Sequence, residues 1–199
     1  MGFEHEYILE NRTQPRGVHV VLGFSCAGKS TYIRHLVTND REFETASPVY
    51  EHMFRSGLRS ALKSGDLFHM DISAVQDSRG DDRTGGLAGR VHDHPLFSRV
   101  FEAGHEITVD VLVAPRSEIR SRIERRDYLG LGWGMDNAVG TYPREYKLAR
   151  LNYMDLTRRY LIWQDYLRRN SVSHRFLWSV DQSFRHLDCW DDAQRVLDN

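Results

Sequence analysis

The segment Gly23-Phe24-Ser25-Cys26-Ala27-Gly28-Lys29-Ser30, followed by Thr31, has residue types and spacing that bear directly on chemistry. It spells G-x-x-x-x-G-K-[ST]. Each part has a physical purpose. Gly23 and Gly28 permit backbone angles that close a loop around an anion without a Cβ clash. The amides of Ser25, Cys26 and Ala27, with those opening the following helix, then point at a β-phosphate. Lys29 is placed to bridge β- and γ-phosphates, and Ser30 to offer a hydroxyl to Mg²⁺. The context matches the spelling: an apolar run, Val18-His19-Val20-Val21-Leu22, enters the loop, and an amphipathic segment leaves it. These residues predict a phosphate-cradling loop.

Further residues qualify as chemical groups by position. Asp71 ends the apolar run Leu67-Phe68-His69-Met70. Carboxyl ends of strands face the ligand crevice in open α/β sheets. Asp71 is therefore placed to take a proton from an acceptor hydroxyl or to hold Mg²⁺ through water; the alternative is an N-cap for a helix opening at Ile72. Arg122, Arg125 and Arg126 stand at i, i+3 and i+4, so they project from one side of a helix. A solvated basic face is the alternative there. Asp110 sits early in its strand, away from the crevice end. Cys26 reads as a small filler of the loop, although neighbouring amides favour a thiolate. His92-Asp93-His94 has no third ligand nearby in sequence and does not predict structural zinc.

Secondary elements must hold these groups in place. Val18–Leu22 reads as a buried strand and a helix starts near Lys29, with Ile33, Leu36 and Val37 at helical spacing. A second helix is expected over about Val49–Lys63. Leu67–Met70, Ile107–Val113 and Arg175–Val180 read as strands, Ser117–Arg126 and Trp190–Leu197 as helices. A long helix is predicted over Pro143–Arg169, with Pro143 in its first turn and Thr141 as its cap. Its stripe of Tyr146, Ala149, Tyr153, Leu156, Tyr160, Trp163 and Leu167 predicts a face packed on the core. Strands alternating with helices predict a parallel sheet covered on both faces. Two glycine-rich stretches interrupt the pattern: 77–94, a candidate acceptor loop carrying Asp77, Arg79, Asp81, Asp82, Arg83 and Arg90, and 127–141, a candidate lid.

Composition bounds the rest. The 199 residues, 40% hydrophobic and 28% charged, predict one globular domain spanning 1–199. The longest apolar runs fall well short of the ~20 residues of a membrane helix. The acidic opening Met1-Gly2-Phe3-Glu4-His5-Glu6 has no apolar core of a signal peptide, which predicts a cytoplasmic protein. Two cysteines, Cys26 and Cys189, make no disulfide framework. The net charge of −1 argues against a dedicated nucleic-acid binder. Of the 27 basic residues, 24 are Arg and three are Lys, a bias compatible with phosphate chemistry.

The P-loop, and the passage from the apolar Val109–Val113 through Ala114-Pro115 to the spaced arginines of 116–126, resemble those of small P-loop kinases. Nucleoside monophosphate, shikimate, gluconate and adenylylsulfate kinases share that plan. Val180-Asp181-Gln182-Ser183 with its closing helix is similar to their adenine-side loop. The resemblance implies a three-layer α/β/α sandwich with a mainly parallel five-stranded sheet, order 2-3-1-4-5, and a lid. It implies ATP as donor, Mg²⁺ as cofactor, and arginines such as Arg122 and Arg126 closing over the transferring phosphoryl group. The N-K-x-D string of GTPases is absent, as are the D-G-D-x-x-R segment of adenylylsulfate kinases and the D-x-D of shikimate kinases. The expected activity is γ-phosphoryl transfer to a hydroxyl or phosphate of a small polar acceptor. The alternatives are a kinase acting on a modified nucleotide within DNA or RNA, and an ATP-binding regulatory module without an acceptor.

Overall fold

β1 (Val18–Gly23) is buried along its whole length, as a strand in the middle of a parallel sheet must be. A computed structural model describes residues 17–50, 53, 60–72, 106–126, 144–181 and 183–198. Around β1 lie β2 (Ser47–Tyr50), β3 (Asp66–Asp71), β4 (Ile107–Val113), β5 (Ser173–Val180) and β6 (Ser183–Leu187). The helices are α1 (Lys29–Asn39), α2 (Arg116–Arg125), α3 (Arg144–Tyr153), α4 (Leu156–Arg169) and α5 (Trp190–Asp198). No helix among the described residues is long and apolar enough to cross a membrane.

The protein is α/β, with the sheet order β2-β3-β1-β4-β5-β6. β1 to β5 run parallel, and β6 returns antiparallel to β5. This corrects the five-strand expectation. β6 is a short hairpin return, mostly exposed, and carries no apolar run that would mark it in sequence.

Alternation along the strands divides the core. Val18, Val20 and Leu22 of β1, with Val109, Val111 and Val113 of β4, join Ile119, Ile123, Tyr160 and Trp163 in one cluster. Val21, Leu67, Leu112 and Leu177 join Tyr32, Ile33 and Leu36 of α1 in the other. Successive side chains of a strand point to opposite faces, so the two clusters occupy the two faces of the sheet.

Two further expectations are corrected. The helix expected over Val49–Lys63 does not begin at Val49: Val49 and Tyr50 belong to β2, which pairs with β3, and residues 60–63 are not helical. The long helix Pro143–Arg169 is two helices. Asp155 takes an extended conformation and its carboxylate accepts from the Arg158 amide, capping α4. On the other side of the break, Arg116 donates to the Leu151 and Met154 carbonyls, satisfying acceptors that the end of α3 leaves open. The aromatic stripe is therefore not one face. Leu156, Tyr160, Trp163 and Leu167 are buried, whereas Tyr146 is 42% and Tyr153 74% exposed. Thr141, Pro143, the 77–94 and 127–141 stretches and the His92/His94 pair lie outside the described residues.

Asp110, in mid-sheet on the α1 face, is 2% exposed and anchors a polar cluster. It accepts from the Tyr32 hydroxyl at 2.7 Å and from Arg175 Nη2 at 3.1 Å, and lies 2.8 Å from His19 Nε2. Burial alone would raise its carboxyl; hydrogen bonds from His19, Arg175 and Tyr32 outweigh burial and hold it down at about 2. A folded value below the unfolded ~3.9 means stabilisation that is present above pH ~4 and lost as pH falls toward 2. Asp110→Asn should therefore cost on the order of 2–3 kcal/mol at pH 7. The gap to wild type should close progressively between pH 4 and 2 in urea titrations. A gap independent of pH would show that the Asp110 charge contributes nothing.

Candidate functional site

The loop from Gly23 to Ser30 joins the end of β1 to the start of α1. Two of its residues sit in the left-handed region: Cys26 at φ +65° and Gly28 at φ +98°. Gly28 is the one that needs to be glycine. A Cβ there would stand 2.6 Å from Ser179 Oγ and 3.5 Å from Arg122 Nη1. The close approach puts the end of β5 and the guanidinium of α2 directly beside the loop. No side chain caps the N-terminus of α1, and its first turn carries no acid. The end of the helix that favours anions is thus free of competing carboxylates on its own first turn. Ser30 and Thr31 are exposed on that turn.

Four tertiary bonds hold the loop's base. The Phe24 amide donates to the Tyr160 hydroxyl at 3.0 Å, and that hydroxyl donates to the Leu112 carbonyl at 2.8 Å. The Ile72 amide donates to the Gly23 carbonyl at 3.1 Å. Trp163 Nε1 fixes the Ile72 carbonyl at 2.9 Å. Phe24 and Ala27 are fully buried.

Lys29 is 3% exposed. Its ammonium donates to the Gly23 and Phe24 carbonyls at 2.7 and 2.8 Å and lies 3.8 Å from Asp71 Oδ2. Asp71, opposite Gly23 in register at the end of β3, meets a second cation on its other oxygen: Arg150 Nη2 of α3, at 3.8 Å. One carboxylate thus stands between two cations at the crevice end of the sheet. The helix that would make Asp71 an N-cap lies beyond Ile72, outside the described residues.

The three α2 arginines separate. Arg122 donates to Ser179 Oγ at 3.1 Å, to the Ser179 carbonyl at 2.9 Å and to Glu118 at 2.8 Å. Arg126 Nη1 lies 4.0 Å from Cys26 Sγ, which itself lies 4.0 Å from Ser25 Oγ. Arg125 is 69% exposed and pairs with Glu118, away from the loop. Two of the three stand at the loop: Arg122 from within α2 and Arg126 from the extended residue that follows it, while Arg125 points into solvent beside Glu118. Lys29, Asp71, Arg122 and Arg126 are brought together around Gly23–Ser30.

Sequence reasoning missed Arg150, Ser179 and His69. Arg150 was hidden within a stripe of aromatics, and nothing in its spacing pointed to Asp71, 79 residues earlier in the chain. His69 precedes Asp71 by two and shares its face of β3; burial, and then the Lys29 ammonium, push its imidazole down to about 3. It is neutral at pH 7. Among the described residues, no three His, Cys, Asp or Glu side chains gather as a metal-binding group.

No family model matches the chain, and no curated protein matches it.

Gly28→Ala tests the loop's packing. The strain of a positive φ costs about 1–3 kcal/mol, and the clash with Ser179 adds to it. The variant should show a clear fall in thermal midpoint. Adding Ser179→Ala relieves the clash but not the φ strain, so the double variant should recover only part of the loss. Full recovery would mean that backbone conformation imposes no constraint at Gly28.

Proposed function

We propose that the protein is an ATP-dependent phosphotransferase that moves the γ-phosphoryl group to a hydroxyl or phosphate of a polar acceptor. The observation that carries this reading is the setting of Lys29: a buried ammonium at the root of a glycine-bracketed loop, 3.8 Å from a strand-end carboxylate. Its ammonium donates to two loop carbonyls and faces Asp71. An anion of higher charge density has a ready cation in it, and Arg122 and Arg126 flank the same loop.

On this reading Gly23, Ser25, Cys26, Ala27, Gly28, Lys29, Ser30 and Thr31 embrace the donor phosphates. Ser30 supplies a hard oxygen donor, which suits Mg²⁺ held together with nucleotide phosphates rather than in a protein cage. The ion, when bound, neutralises charge on the transferring group. Arg122 and Arg126 add to that stabilisation. In transfer to a hydroxyl, the acceptor oxygen forms its bond to Pγ as the bond from Pγ to the β,γ-bridging oxygen breaks. ADP leaves, and the hydroxyl proton passes to Asp71. The same reading makes residues 1–199 one α/β/α domain of a cytoplasmic enzyme.

Lys29→Ala should abolish transfer while the protein stays folded, because charge stabilisation at the phosphates supplies several kcal/mol. An acceptor screen with radiolabelled ATP over sugars, nucleosides, nucleotides and single-stranded DNA, beside an acceptor-free ATPase control, reads the effect. Unchanged turnover in the variant overturns the donor site. Asp71→Asn should lower kcat by about 10²–10⁴-fold with little change in ATP affinity. If activity survives, Asp71 is an ion-pair partner of Lys29 and Arg150 and no base.

A further inference from the structure

Two of the exposed large hydrophobic residues, Tyr146 and Tyr153, belong to α3. They stand at i and i+7, with Arg150 at i+4 between them, so the three share one helix face. That face is the one that meets the candidate site, since Arg150 reaches to 3.8 Å of Asp71. The Arg150 guanidinium lies 5.8 Å from the Tyr146 ring centroid and 5.7 Å from that of Phe24. A cation is thus pinned between an exposed ring and the buried base of the loop.

Charge on the same surface is one-sided. α2 packs against α3, with Arg120 donating to Asn152 and Arg144 to the Arg126 carbonyl at 3.5 Å. Residues 116–126 and 144–153 contain seven arginines against three glutamates, Lys147 being buried, in a chain whose net charge is −1. The basic excess missing from the whole chain is concentrated in two neighbouring helices. Bonds from Arg116 to the Leu151 and Met154 carbonyls orient that guanidinium without cancelling its charge, while Arg122 and Arg125 share the single carboxylate of Glu118 and Arg150 faces Asp71.

We infer that the α2–α3 face binds single-stranded nucleic acid, with bases stacked on Tyr146 and Tyr153 and phosphates held by the surrounding arginines. Aromatic side chains beside a cationic track are the general means of holding unpaired strands, because every base has a π-face. The two tyrosines lie roughly 10 Å apart along the helix axis, room for separate bases. An acidic peptide would meet the charge but would make no use of the exposed rings. Resting on the phosphotransferase reading, this makes the acceptor a hydroxyl or phosphate carried by a polynucleotide and delivered past Arg150 to Asp71.

The test is fluorescence anisotropy of a labelled oligothymidylate of about 12 nucleotides, titrated with the full chain over a salt series. Duplex DNA of equal length, heparin and free dTMP serve as competitors. Binding should weaken steadily as salt rises. Tyr146→Ala with Tyr153→Ala should lose at least about tenfold in affinity for the oligonucleotide. Tyr146→Phe with Tyr153→Phe, which keeps both rings, should stay within about twofold of wild type. Free dTMP should compete poorly. The inference is overturned by an oligonucleotide that does not bind at low salt, by equal affinity in the alanine variant, by equal losses for heparin and oligonucleotide in that variant, or by dTMP displacing the strand at equal nucleotide concentration. A fluorescent ATP analogue titrated in parallel separates the two readings. It should bind wild type and both tyrosine variants alike and fail with Lys29→Ala. Analogue binding without strand binding overturns the platform alone; strand binding without analogue binding overturns the donor site alone.

Discussion

A buried ammonium sets the terms for this structure. Lys29 is nearly inaccessible to water, and an unpaired charge in that position would cost many kcal/mol. Its three donors therefore need partners supplied from the fold. Two are carbonyls of its own loop, and the third direction faces Asp71 at the end of β3. This arrangement requires β3 to lie beside β1 in a register that sets Asp71 opposite Gly23. It also requires the loop to bend back on itself, which Gly28 permits at a φ that other residues resist. Sheet order, register and loop conformation thus meet at one nitrogen atom.

The polar groups on the α1 face serve two separate ends. At the carboxyl end of the strands stand the buried Lys29 with the half-buried Asp71 and His69. In mid-sheet, Asp110 is enclosed by Tyr32, His19 and Arg175, with its carboxyl satisfied from several directions. Tyr32 lies on the first turn of the helix that leaves the loop, so the mid-sheet cluster also fixes how α1 sits on the strands. The Gly23–Ser30 loop is consequently anchored twice: by Tyr160 and Trp163 from one face of the sheet, and by Asp110 through Tyr32 from the other. A site that must present charge without shifting benefits from such supports.

The parts of this architecture that were legible in sequence are those decided locally. β1, the loop and α1 form one continuous signal: an apolar run, two glycines at fixed spacing, then helical periodicity. β4 and α2 are similarly marked by six strand-forming residues around Asp110, stopped at Pro115. The edge strands were not legible. β2 is four residues long, contains Pro48 and exists because β3 offers a ladder; β6 exists because the chain turns back at the end of β5. Nor was the break between α3 and α4 visible, since apolar spacing runs through it and Arg116, 35 residues from Leu151, helps to hold it. Lys29, Arg122 and Arg126 were readable from motif and spacing. Arg150 was not, because only the tertiary fold carries α3 to Asp71.

The same break explains a surface that periodicity misreads. Had one helix run from 143 to 169, a stripe at steps of three and four would have carried Tyr146 and Tyr153 into the core with Tyr160 and Trp163. Rephasing at Asp155 releases them. α3 turns Lys147 and Leu151 inward instead, and its tyrosines emerge on the flank that holds Arg150. Net charge misleads in a related way, for it averages over elements that never meet. A chain at −1 can carry a cationic helix pair if its acids lie elsewhere, and Asp191, Asp192 and Asp198 on α5 belong to that balance. What a surface attracts is set within about one Debye length, roughly 10 Å at moderate salt. Arginine and exposed tyrosine coincide on α2 and α3, a local arrangement that a net charge of −1 conceals.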